Sequence, residues 1–148
     1  MDEILLVLYH CRCLPNRYRV VQLRPDLLYL AVFDGHGGSL CAEYCEEHFE
    51  RHILHHLDRE EDMLVVLDKS FHDVNRSFER WYTSKKKHLG RASSSGSTAT
   101  VGLLQVKWKI LYSLSFGQDN YTLHLGHCGD SRAILCRCSK QRLHGNCF

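Results

Sequence analysis

The sequence predicts an α+β domain in which antiparallel sheet is layered against helices. Three observations predict it. Strand-like runs come first, two long helical stripes follow, and strand-like runs then return. The turns between neighbouring strand-like runs are short, as hairpins require. The 148 residues, 44% of them hydrophobic and 24% charged, are enough for one compact domain with its own core.

The elements follow in chain order. Residues 18–23 read as a short strand, and Pro25-Asp26 as a turn. The apolar run from Leu27 to Phe33 reads as a second, buried strand. From about Leu40 to Leu57, Cys45, Phe49, Ile53 and Leu57 recur at four-residue spacing, which predicts a helix with Ser39 as its N-cap. A second helix is predicted from Glu61 to Tyr82, on the stripe Met63, Leu67, Phe71, Val74, Phe78 and Trp81. Residues 83–96 are polar, basic and small, and read as a mobile connector. Ser97–Leu104 reads as a strand. Trp108, Ile110, Tyr112, Leu114 and Phe116 alternate with their neighbours and predict another. The last strands are Tyr121–Gly126 and Arg132–Arg137.

The net charge of +2 implies neither a nucleic-acid nor a membrane partner. No apolar run approaches the roughly 20 residues that span a bilayer. Ile4–Leu8 is too short for a signal-peptide core, so an intracellular, cytoplasmic protein is expected, with mitochondria and nucleus left open. The eight cysteines then read as reduced thiols rather than a disulfide framework. Cys41, Cys45, His48 and His52 lie close to one helical face, but one straight helix cannot wrap four ligands around a zinc ion.

Two acidic turns carry the candidate chemistry. Asp34-Gly35-His36-Gly37-Gly38 follows the buried strand. A carboxylate at a strand end suits a hard cation, and glycines allow close approach of the backbone. His36 can move a proton near neutral pH. The alternative is structural: an Asp in a glycine-rich turn often only caps the next helix. Gly129-Asp130-Ser131-Arg132 presents a second carboxylate at a strand end. Two such aspartates facing one cleft would hold a divalent cation that polarises a phosphoryl oxygen.

The run Tyr29–Phe33 into Asp34–Gly38 resembles the signature of the metal-dependent protein phosphatases, the type 2C or PPM serine/threonine phosphatase family. Ser95-Gly96-Ser97-Thr98-Ala99-Thr100 and Cys128-Gly129-Asp130-Ser131-Arg132-Ala133 resemble two further family motifs, in the family's order. The resemblance covers about 17–104 and 121–137 and implies a sandwich of two antiparallel sheets flanked by helices, incomplete in this chain. It implies hydrolysis of phosphoserine and phosphothreonine in a phosphoprotein substrate by a metal-activated water, using two or more Mg2+ or Mn2+ ions. By motif, Asp34 and the Gly35 carbonyl would bind those ions, Asp130 would bind a weaker third, and His36 would be the general acid. Ser97 and Thr98 would be structural.

Three departures from the family pattern matter. Pro15 and Asn16 stand where an acidic pair is expected, and Arg12 has no clear assignment to the phosphate-gripping arginine. After Asp130 the chain has no Asp or Glu, and 138–148 matches no family segment. Residues 106–117 look inserted, and one added strand would reverse the direction of the next and displace Asp130. Together they suggest one partial phosphatase domain over 1–148, from a truncated or alternatively spliced form. Two divalent ions need several carboxylates, so weak metal binding is expected. The alternative function is a catalytically impaired binding or regulatory module. Missing strands would leave apolar sheet edges able to pair with another chain.

Overall fold

The computed structural model describes residues 3–9, 16–89, 94–107 and 120–138. The elements are β1 (Glu3–Tyr9), β2 (Asn16–Arg24), β3 (Leu27–His36), α1 (Leu40–Leu57), α2 (Met63–Leu89), β4 (Gly96–Ser97), β5 (Ala99–Lys107), β6 (Asn120–Cys128) and β7 (Arg132–Cys138). They form the expected mixed layers of helix and antiparallel sheet. The larger sheet runs β2-β3-β5-β6, with β4 paired to β3, and a separate ladder joins β1 to β7.

Period-two alternation decides which face of β3 is covered. Leu27, Tyr29, Ala31 and Phe33 point into the core, where they meet Phe49, Ile53 and Leu57 of α1 and Val66, Leu67 and Val74 of α2. Phe49 is the junction, with its ring 5.8 Å from Phe33 and 5.0 Å edge-on from Phe71. Such contacts add to the transfer free energy of a buried aromatic side chain. The edge strand is tied to α1 by charge. Arg17 bonds Glu43 at 2.7 Å and Glu46 at 3.3 Å, while Arg19 meets Glu50 at 3.1 Å.

The opposite face of β2 carries Tyr18 and Val20, 75% and 59% exposed. Tyr121 and Leu125 are exposed on β6. Among the described strands these two are the edges of the larger sheet, and both carry exposed apolar side chains.

Several expectations are corrected. Helix α2 continues through Thr83–Leu89, which had read as connector. Lysines are good helix formers and no breaker intervenes before Gly90. Ser39 makes no side-chain capping bond; only its carbonyl is engaged, accepting from the Glu43 N–H at 3.0 Å. Ile4–Leu8, assigned to no element from the sequence, lies in β1, where pairing with β7 stabilises a segment too short to signal itself. The alternating run Trp108–Phe116 and residues 90–93 lie outside the described residues. Its expected consequence does not arise: Lys107 pairs with Asn120 and Val106 with Tyr121, so β6 still follows β5 antiparallel.

The seam between the helices is sensitive to acid. The His56 imidazole at 2.8 Å and the Arg76 guanidinium at 2.6 Å hold the Asp73 carboxyl below its ordinary range. Burial pushes the His52 imidazole below the usual histidine range, with Asp73 opposing. Both folded pKa values are depressed, so the unfolded chain takes up protons first in each case. Stabilisation by neutral His52 is present above about pH 6.5 and declines below it. Stabilisation by ionised Asp73 is present above about pH 4 and is lost as pH falls through the lower folded value. Urea midpoints measured against pH are expected to fall in those two stages. Asp73→Asn should remove the lower one; its persistence in that variant would refute the assignment.

Candidate functional site

The two acidic turns meet at one end of the larger sheet, and Thr98 joins them. The main-chain carbonyl of Asp34 accepts from the Thr98 N–H at 2.9 Å and from the Ser97 hydroxyl at 3.2 Å. Gly35 pairs with Ser97 and His36 with Gly96, so β4 takes over from β5 as the partner of the last residues of β3. On its other side Thr98 lies 2.6 Å, hydroxyl to hydroxyl, from Ser131. Both are buried, which makes that bond costly to lose. Gly129, at φ +98°, packs so closely that a Cβ there would lie 2.6 Å from the Thr98 methyl.

Asp34 is buried, with 8% of its surface exposed, whereas His36 and Asp130 are exposed. Asp34 and Asp130 thus stand on the two sides of the start of β5. Ser97 and Thr98 thus bridge the two turns.

Close backbone approach sets the shape of the first turn. Gly37 adopts φ +65°, and a Cβ there would lie 2.3 Å from the Ser94 carbonyl oxygen. Gly96 lies beneath the His36 ring, where a Cβ would sit 2.4 Å from Nε2. Ser95, which opens the motif at 95–100, has a part that sequence reasoning did not assign to it. Its hydroxyl accepts from the Cys41 N–H at 3.0 Å and donates to the Gly38 carbonyl at 3.2 Å. It therefore clasps the turn to the first residues of α1 and does the work expected of Ser39. The serine run had read as solvated connector, and only the fold places it against an orphan helix N–H.

Among the described residues, the donor set does not make up a two-ion centre. Among the described residues, no three His, Cys, Asp or Glu side chains group closely enough to hold a metal ion. Directly across the β2–β3 ladder from Asp34 stands Asn16. Opposed residues of an antiparallel pair share a face with Cβ atoms about 5 Å apart. The neighbour of Asp34 on that face is thus a neutral amide. Arg12 and Pro15 lie outside the described residues. Both histidines weighed for zinc are engaged elsewhere. His48 Nδ1 meets the Tyr44 carbonyl at 3.0 Å, and His52 Nε2 meets the Ser77 hydroxyl at 3.3 Å. Cys41, Cys45 and Cys128 are free thiols.

Among known families, the model described as protein phosphatase 2C matches residues 8–144. The chain is 39% identical over 128 residues to "Protein phosphatase 1K, mitochondrial" of Xenopus laevis, covering 84% of this chain and 30% of that protein. It is 34% identical over 117 residues to "Protein phosphatase 1A" of Homo sapiens, covering 74% and 26%. It is 31% identical over 112 residues to "Protein phosphatase 2C 56" of Arabidopsis thaliana, covering 74% and 22%. The chain thus spans less than a third of the length of these relatives.

Proposed function

The chain belongs to the protein phosphatase 2C family, and from that premise we propose that it recognises phosphoserine and phosphothreonine in proteins, with weak catalysis of its own. Asp34, the Gly35 carbonyl and Asp130 are its candidate ligands for Mg2+ or Mn2+, and His36 is its candidate general acid. The chemistry that such ions supply when bound is a water made nucleophilic at neutral pH. The chain's own part is narrower. The buried strand β3 fixes Asp34, the glycine turn opens the backbone above it, and exposed His36 is free to give a proton to a leaving alkoxide.

The single observation behind the weak catalysis is Asn16 opposite Asp34, with no third acidic or imidazole donor grouped with them among the described residues. The same observation favours a second reading, a binding or regulatory module that holds phosphoproteins without hydrolysing them. An intracellular setting, mitochondria included, belongs to the proposal; fractionation of cells expressing the chain checks it. So does pairing of the exposed edges of β2 and β6 with another chain, which sedimentation at rising concentration checks.

Phosphate release from a phosphothreonine peptide with Mn2+ tests the enzyme reading. A slow rate that Asp34→Asn abolishes is expected, and equal rates for the two proteins would leave only the binding module. Asn16→Asp should tighten Mn2+ binding at least tenfold, about 1.4 kcal/mol. Calorimetry giving an unchanged affinity would remove Asn16 as the cause.

A further inference from the structure

A cavity of about 620 Å3 opens between α1, α2 and β6, and three thiols line it: Cys41, Cys45 and Cys128. Cys41 and Cys45 are four residues apart on α1, so their side chains stack on one face. Cys41 is half-buried and Cys45 is buried.

We propose that Cys41 is a site of reversible oxidation by hydrogen peroxide, with Cys45 as the thiol that activates it. The cavity has room for a small oxidant beside Cys41. Cys41 is the second residue of its helix, where the orphan N–H groups and the helix dipole favour an anion. The Cys45 thiol donates to the Cys41 sulfur and holds the Cys41 thiol below its ordinary range, although partial burial opposes this. That same bond, together with burial, pushes the Cys45 thiol up, so Cys45 remains the donor.

The reaction balances with peroxide as the only co-reactant. The Cys41 thiolate attacks one peroxide oxygen, an S–O bond forms and the O–O bond breaks. Sulfur loses two electrons and becomes sulfenic acid, while the other oxygen leaves as hydroxide and takes up a proton to give water. A thiol reductant restores the cysteine. The product lies next to the candidate site, because the Cys41 N–H is bonded to the same Ser95 hydroxyl that holds the Gly38 carbonyl.

The test is peroxide treatment of the full chain, trapping with a cyclic 1,3-diketone and mass mapping of the digested peptides. In the wild-type chain the Cys41 peptide should be labelled before that of Cys128, which is the more exposed thiol. Reductant added before the trap should erase the label. Cys45→Ala should slow labelling of Cys41, because the donor that favours its thiolate is removed. Labelling of Cys128 first would overturn the proposal. So would an unchanged Cys41 rate in a Cys45→Ala protein whose circular dichroism is native. If that variant fails to fold, the order of Cys41 and Cys128 in the wild-type chain decides alone.

Discussion

Phe49→Ala is expected to cost about 3–5 kcal/mol, the range for emptying a buried aromatic site. The side chain is 1% exposed and packs between Phe33 of β3 and Phe71 of α2. β3 and α2 therefore lose a shared partner at once. Domains of this size are stable by only about 5–15 kcal/mol, so the variant should be largely unfolded under mild denaturant. Phe49→Leu keeps most of the volume and should cost about 1.5 kcal/mol or less. Urea unfolding followed by circular dichroism separates the two. Equal midpoints would mean that the aromatic contacts contribute little and the cavity collapses freely.

Gly37→Ala is expected to undo the clasp over the first acidic turn. The φ of +65° costs a residue with a Cβ about 1–2 kcal/mol. The larger part is steric: the new Cβ would lie 2.3 Å from the main-chain oxygen of Ser94, and backbone cannot yield as a side-chain tip does. A total loss of about 3 kcal/mol is expected, concentrated at residues 94–98. Hydrogen exchange should report it, with faster exchange at the Thr98 and Cys41 N–H groups, whose bonds to Asp34 and Ser95 depend on that docking. Gly37→Asn distinguishes the causes. Asparagine tolerates the left-handed conformation but still carries a Cβ. Recovery of native exchange in that variant would show that conformation, and not the contact with Ser94, is limiting.

Much of the fold was legible because the elements carry strong local signals. The four-residue spacing of Cys45, Phe49, Ile53 and Leu57 predicts α1 at the bounds observed, since each turn of an amphipathic helix repeats the same requirement. The buried run of β3 and the glycine turn after it are likewise local. Segments whose order depends on distant partners were not legible. β1 exists through its pairing with β7, more than a hundred residues away in the chain. Helix α2 outruns its apolar stripe because its last turns rest on propensity and lack a breaker. Ser95 looks like any loop serine until the fold sets it between Gly38 and Cys41.

The candidate site divides along the same line. Residue identity alone named Asp34, His36 and Asp130, because a carboxylate or an imidazole has its chemistry wherever it stands. The strand-turn pattern also placed both aspartates at strand ends, since alternation and glycine are local properties. Only the tertiary structure decided that the two turns share Thr98, that Gly96 lies beneath the His36 ring, and that Asn16 faces Asp34 across the ladder. Those are facts of register and close packing between segments up to about a hundred residues apart. No local propensity encodes them, and they determine which donors a cation at Asp34 would meet.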